Sequence, residues 1–213
     1  MRIIVTAGPT REHIDPVRFI SNRSTGKMGY AIAGVSARRG HEVVLISGPV
    51  IIEPPALVTV IKVDTSAQML DELKKRISWC DVLIMTAAVA DFKPAVIRTE
   101  KIKKRNMPLF IRLRKTPDIL KRIRKYKDKR VFVGFAAETS NMLKEARRKL
   151  IDKGLDLIVA NDVSRSDSGF GADTNKVVLI SADGTCRKLP LMKKTAVAKE
   201  ILEWVEACNA YKK

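Results

Sequence analysis

This chain is short of the residues that build most metal and redox sites. Its 213 residues include two histidines, His13 and His41, and three cysteines, Cys80, Cys186 and Cys208, far apart and without a Cys-x-x-Cys pair. Neither a zinc site nor a disulfide framework is indicated, and the thiols read as buried or half-buried apolar side chains. Aromatic residues are also scarce, at 5%. The longest apolar runs, such as Arg2–Ala7 and Val82–Ala90, have the length of strands and fall short of a bilayer span. The first residues, Met1–Gly8, read directly as a strand and lack the separate charged and apolar regions of a signal peptide, so a cytoplasmic location is expected.

Negative charge is in short supply too. There are 41 Lys/Arg against 23 Asp/Glu, a formal net charge of +18. Between Arg98 and Arg130, fifteen basic residues face three acids, Glu100, Asp118 and Asp128. Such a field attracts polyanions, from nucleic acid to nucleoside triphosphates. Only Phe110 and Tyr126 accompany it, which argues against a platform for stacking single-stranded bases. A solvated, partly thermophilic surface accounts for many of these charges, in keeping with a single glutamine in the chain.

What is present is an alternation of strand-length apolar runs with helical periodicity. Strands are predicted at Arg2–Ala7, Glu42–Ser47, Val58–Val63, Val82–Ala87, Leu109–Leu113, Val131–Phe135 and Leu155–Ala160. Helices are predicted over Gly26–Arg39 (Met28, Ile32 and Val35 inward), Ser66–Trp79, Pro117 to about Lys127, Asn141–Lys153 (Leu143, Ala146 and Leu150 inward) and Thr195–Ala210. Val177–Ser181, Asp183-Gly184 and Cys186–Leu191 read as a β-hairpin, and Phe92–Pro108 as an irregular basic loop. Alternation on this spacing requires a mostly parallel sheet covered on both faces, a three-layer α/β sandwich of Rossmann type in one domain over residues 1–213. Ligands of such sheets bind beyond the carboxyl ends of the strands.

Several motifs fall at those ends. Residues 18–29, Arg-Phe-Ile-Ser-Asn-Arg-Ser-Thr-Gly-Lys-Met-Gly, enter a helix through Gly26 and Gly29 with Asn22, Ser24 and Lys27 crowded beside them, a natural cradle for phosphate. Gly-x-Gly-x-x-Gly is absent after the first strand, which disfavours a standard NAD site. Ala87-Ala88-Val89-Ala90-Asp91 leaves a strand with small residues and then a carboxylate suited to ribose or base donors. Lys101 lies in the basic loop, where a lysine moved over a triphosphate would neutralise charge at the α-phosphate. Phe135-Ala136-Ala137-Glu138-Thr139 and Ala160-Asn161-Asp162 end two further strands. Lys149 and Lys153, one helical turn apart, share a face and can grip one polyanion.

Taken together these residues resemble the phosphopantothenate–cysteine ligase family of coenzyme A biosynthesis. The likeness runs through Thr6–Glu12, Asp15–Asn22, Ser24–Gly29, Ala87–Asp91, Lys101–Lys104, Thr116–Asp118, Gly134–Thr139 and Ala160–Asp162. It implies a ligase that activates 4′-phosphopantothenate with CTP (ATP in the eukaryotic type) as an acyl-cytidylate, releases pyrophosphate, and passes the acyl group to L-cysteine. It implies Asn22 and Lys101 as catalytic residues, and Arg18, Asn22 and Ala88 as substrate contacts. Nucleotide contacts would come from Ser24, Gly26, Lys27, Ala87, Asp91, Lys101, Pro117, Asp118, Ile119, Leu120, Phe135, Lys149 and Lys153. Mg2+ would arrive on the triphosphate, with no protein ligands assigned. A homodimer is implied, with Leu109–Leu113 as its arm, and association with a phosphopantothenoylcysteine decarboxylase. No FMN, membrane or specific nucleic acid is expected. An NAD(P)-binding reductase, or a basic RNA-binding protein, is the alternative: the first predicts NAD(P) binding without pyrophosphate release, the second steeply salt-dependent RNA affinity.

Overall fold

The computed structural model describes residues 1–104, 110–138, 141–162 and 168–212. The expectations that touch Arg105–Leu109 and Thr139 lie outside the described residues. In chain order the elements are β1 (Arg2–Ala7), β2 (Arg11–His13), β3 (Phe19–Ser21), α1 (Lys27–Arg38), β4 (Glu42–Ser47), β5 (Val58–Lys62), α2 (Ser66–Arg76) and β6 (Val82–Met85). There follow β7 (Phe92–Pro94), β8 (Leu113–Lys115), α3 (Ile119–Ile123), a 3-10 turn at Arg124–Tyr126, β9 (Val131–Glu138), α4 (Met142–Lys153) and β10 (Leu157–Asp162). The chain closes with β11 (Thr174–Asn175), β12 (Val177–Ser181), β13 (Cys186–Lys188), β14 (Met192–Lys193) and α5 (Lys194–Lys212).

Eight strands form one sheet in the order β13-β12-β10-β9-β6-β1-β4-β5. From β10 to β5 every pairing is parallel, while β12 and β13 run antiparallel at the edge. The order reverses between β1 and β6, so the crevice for a ligand lies beyond Ala7 and Met85. The continuous apolar runs of β1 and β6 follow from burial on both faces. Ile3, Val5 and Ala7 pack in one apolar layer with Ile32 and Val35 of α1 and with Val197, Ile201 and Val205 of α5. Ile4 and Leu83 face the opposite layer, with Leu70 and Leu73 of α2, Ile119 and Ile123 of α3, and Ala146 and Leu150 of α4. The single glutamine is used structurally, since Gln68 and Thr65 form a reciprocal capping box that opens α2. Among the described residues no helix is long and apolar enough to cross a membrane.

The main departures from the sequence reading are local. The alternating stretch expected as a strand at Leu109–Leu113 pairs only from Leu113 onward, as β8 against β7, and Phe110, Ile111 and Leu113 are exposed. Alternation there is not matched by any surface that buries it. The helix expected from Pro117 begins after its Asp118 cap, where Oδ1 accepts from the Lys121 amide at 3.1 Å, and tightens to a 3-10 turn at Arg124. Leu143 is 36% exposed, and Met142 packs on the core in its place. Met28 is only partly buried, and Cys186 is exposed rather than buried or half-buried. The hairpin strand expected to run to Leu191 ends at Lys188. The short β2–β3 hairpin and the strand β7 occupy stretches that read as loop in the sequence.

Candidate active site

The crevice at the switch point is made by backbone held too close for side chains. The turn after β1 and the turn after β6 are joined: the Ala88 amide donates to Gly8 O at 2.9 Å and the Thr10 amide to Ala88 O at 3.3 Å. Thr6 Oγ1 accepts from the Ala87 amide at 3.2 Å, and Thr10 Oγ1 from the Ala90 amide at 3.0 Å. α1 starts against this seam. A Cβ at Gly29 would stand 2.5 Å from Thr86 Oγ1 and 2.6 Å from Ala7 Cβ, and Gly26 enters the helix with φ of +78°. Asn22, just past β3, donates its amide to Ala88 O at 3.0 Å and Val89 O at 3.2 Å. Asn22 therefore reads the same turn that carries Asp91.

A cavity of about 810 Å³ opens beyond this seam. It brings together Asn22, Ser24, Gly26 and Lys27, then Ala87, Ala88 and Asp91, then Pro117–Leu120, and Phe135, Lys149 and Lys153. Its lining runs from Asn22 to Lys194, so residues remote in sequence share one space. Asp91 is exposed, and its carboxylate has no hydrogen-bond or ion-pair partner among the described residues. Lys149 Nζ meets Glu138 Oε1 at 2.6 Å, and Lys153 pairs with Asp118. The two lysines thus stand at the cavity with their ammonium groups paired to carboxylates.

Two of the expected residues at the cavity, Lys27 and Ser24, also bond within the protein, and two others lie elsewhere. Lys27, expected at a phosphate, spends its ammonium on Asp173 Oδ1 at 2.6 Å and Gly171 O at 2.8 Å. Its partner lies 146 residues away, which local sequence cannot show. Ser24 Oγ accepts from the Gly26 amide at 3.3 Å, so it serves the helix entry. Arg18 and Lys101 do not line the large cavity. With Ile102, Lys103 and Lys104 they surround a second cavity of about 550 Å³. The reason is Asp15, a carboxylate 1% exposed. It accepts from the Val17 and Arg18 amides, each at 2.9 Å, from Arg18 Nε at 3.0 Å and from the Ile102 amide at 3.2 Å. Arg18 Nη2 also donates to Ile102 O at 3.0 Å. The Arg18 guanidinium beside it, with these amides, holds the Asp15 carboxyl well below the usual carboxylate range.

The cavity also uses groups that the motifs do not single out. Asn175, Phe170 and Lys194 line it, along with Asn161, which the sequence offers only as a polar strand end. Ser168 Oγ donates to Asn161 Oδ1 at 2.8 Å and accepts from the Lys176 amide at 2.9 Å. Lys194 is 6% exposed, and burial, with a smaller push from Lys27, lowers its ammonium to about 8. Its one sequence signal is faint, a lysine at the head of a helix that turns Val197 and Ile201 inward. Among the described residues no group of three or more His, Cys, Asp and Glu comes together as a metal site.

Residues 1–208 match the model of the DNA/pantothenate metabolism flavoprotein C-terminal domain. The chain is 48% identical over 208 residues to the coenzyme A biosynthesis bifunctional protein CoaBC of Bacillus subtilis, covering 97% of this chain and 51% of that protein. It is 45% identical over 207 residues to CoaBC of Escherichia coli K12, covering 95% and 51%. The chain therefore spans about half the length of these curated relatives. The crystal structure of a CoaBC C-terminal domain superposes with a TM-score of 0.83 at 44% identity, over 97% of this chain and 94% of that one. By sequence over nearly its whole length, and by fold, the chain belongs to the family of DNA/pantothenate metabolism flavoprotein C-terminal domains.

Proposed function

We propose that the chain joins 4′-phosphopantothenate to L-cysteine while CTP is cleaved to CMP and pyrophosphate. The observation that carries this reading is the meeting of Asn22, Asp91 and Lys149 at one cavity on the carboxyl edge of a parallel sheet. The relatives are coenzyme A biosynthesis proteins, and the motifs that resemble the ligase family fall along that edge.

In the first step a carboxylate oxygen of phosphopantothenate attacks the α-phosphorus, the bond to the bridging oxygen breaks, and pyrophosphate departs. A free carboxylate has no acceptable leaving group, and the mixed anhydride supplies one. Lys149 and Lys153 take charge of the nucleotide, with Phe135 and Pro117–Leu120 as its walls and Asp91 facing its donors. Lys101 reaches the α-phosphate by movement of its segment away from the Asp15 anchor, neutralising the developing charge. In the second step the neutral amine of cysteine attacks the acyl carbon, and CMP leaves. An α-amino group of pKa about 7.7–8.0 gives enough neutral amine near neutrality. Asn22 holds the acyl-cytidylate against the Ala88–Val89 turn. Magnesium would arrive on the triphosphate and add positive charge there, with no protein ligand assigned to it.

The enzyme acts in the cytoplasm as a homodimer and hands its product to a phosphopantothenoylcysteine decarboxylase. Exposed Phe110, Ile111 and Leu113 support the dimer arm, beside exposed Phe92. The test is pyrophosphate release from CTP, ATP, GTP or UTP with phosphopantothenate, with and without cysteine. CTP should dominate. Lys101→Gln should suppress pyrophosphate release, and Asn22→Asp should slow mainly the cysteine step. Normal turnover by either variant overturns that assignment.

A further inference from the structure

Residues 169–173 run between the α1 and α5 helices and the cavity, and every one of their carbonyls is taken. Gly169 O accepts from Lys194 Nζ at 3.2 Å, Phe170 O from Thr25 Oγ1 at 2.6 Å, and Gly171 O from Lys27 Nζ at 2.8 Å. Ala172 O accepts from Lys194 Nζ, and Asp173 O from the Lys194 amide at 2.9 Å. Phe170 O also lies 3.5 Å from Lys194 Nζ. One buried ammonium thus reaches three carbonyls, with Thr25 and Lys27 at the head of α1 supplying the remaining side-chain donors.

A lysine 6% exposed is normally paired with a carboxylate, because an unpaired buried charge is costly. Here its closest acceptors are neutral carbonyls, while Asp173 is engaged by Lys27. The ammonium is therefore spent on shaping a strap. Gly169 and Phe170 of that strap line the large cavity, as does Lys194 itself. Carbonyl oxygens left loose beside a ligand carrying phosphate and carboxylate would repel it, and binding them to donors removes that repulsion.

We infer that Lys194 is a positioning residue for the reaction. It pins the 169–173 strap, with Thr25 and Lys27 as auxiliaries, so that Gly169 and Phe170 keep their place in the wall of the large cavity. This role rests on the ligase reading above. It does not place Lys194 on the reacting atoms.

The test combines amide hydrogen exchange with steady-state kinetics for wild type, Lys194→Met and Thr25→Val. Lys194→Met should speed exchange about tenfold at the amides that hold the strap's two ends, that of residue 194 on Asp173 O and that of Lys176 on Ser168 Oγ, while leaving β1 and β6 protected. It should raise about tenfold the KM of whichever substrate stands against the strap, phosphopantothenate or CTP, leaving kcat within about twofold. Thr25→Val should move both in the same direction by less. Unchanged exchange at those two amides, or an unchanged KM for both substrates, overturns the inference. If Lys194→Met does not fold, Thr25→Val alone decides by the same two readouts. If the wild type releases no pyrophosphate, the ligase reading fails, and the exchange result still decides whether the strap is pinned.

Discussion

The two sides of the candidate site are built on different principles. The seam between β1, β6 and the start of α1 is fixed by close approach of backbone, with Gly8 and Ala88 bonded across it and no room for a Cβ at Gly29. The basic arm from Phe92 to Thr116 is held by charge and a few anchors: the β7–β8 ladder, the Arg98 amide on Ile14 O at 3.0 Å, and Asp15 on Ile102. The seam leaves no room for added atoms, whereas the described residues of the arm carry cations and leave Phe92, Phe110, Ile111 and Leu113 exposed.

The sharpest way to break this contrast is to add one carbon to the seam. Gly29→Ala forces Thr86 and Ala7 apart, and should cost about 1–3 kcal/mol with loss of most turnover. Thermal unfolding together with pyrophosphate release checks it. If stability and activity both survive, the seam is softer than its geometry implies. Next in size is Lys149→Met, which should raise the KM for CTP about tenfold by deleting a charge-assisted contact and leaving Glu138 without its lysine. Nucleotide titration reads this directly.

On the arm, Asp15→Asn should lower thermal stability by a few degrees near neutrality and let the Lys101 segment exchange faster. The sign with pH is fixed by the depressed carboxyl of Asp15. Its stabilisation is complete above the ordinary carboxylate range and fades as pH falls below it, so wild type and variant should converge in acid. Phe110→Asp should weaken self-association, shown by sedimentation at micromolar concentration. A wild-type monomer under those conditions contradicts the dimer. The last effect concerns Lys194. Its folded form gives up a proton at about 8, before the unfolded chain does, so stability should rise as pH climbs from there toward the ordinary lysine range. Lys194→Met should remove that rise, as thermal unfolding across this interval would show.

The same contrast explains what is legible in the sequence. The seam announces itself: β1, β4 and β6 are apolar runs, and glycine and alanine mark the exits where Asn22 and Asp91 meet. The arm does not. Its strand partners are three residues long, and the alternation at Phe110–Leu113 imitates a buried strand while facing solvent. The arm's anchor, and the partner of Lys27 at the cavity, are hidden in the sequence because they lie far along the chain. Asp15 meets Ile102 across 87 residues and Lys27 meets Asp173 across 146. Lys194 is one more lysine in a basic chain, and its carbonyl partners become visible only in the fold. Leu143 falls on the outer face because the inward stripe of α4 is Met142, Ala146 and Leu150, spaced four residues apart.

The most direct measurement is hydrogen exchange across the chain during a single titration with CTP and phosphopantothenate. Segments 22–29, 86–91, 117–120 and 149–153 should gain protection together, on one binding curve. Protection confined to one of them, or separate curves for different segments, would contradict a shared site at the carboxyl edge of the sheet.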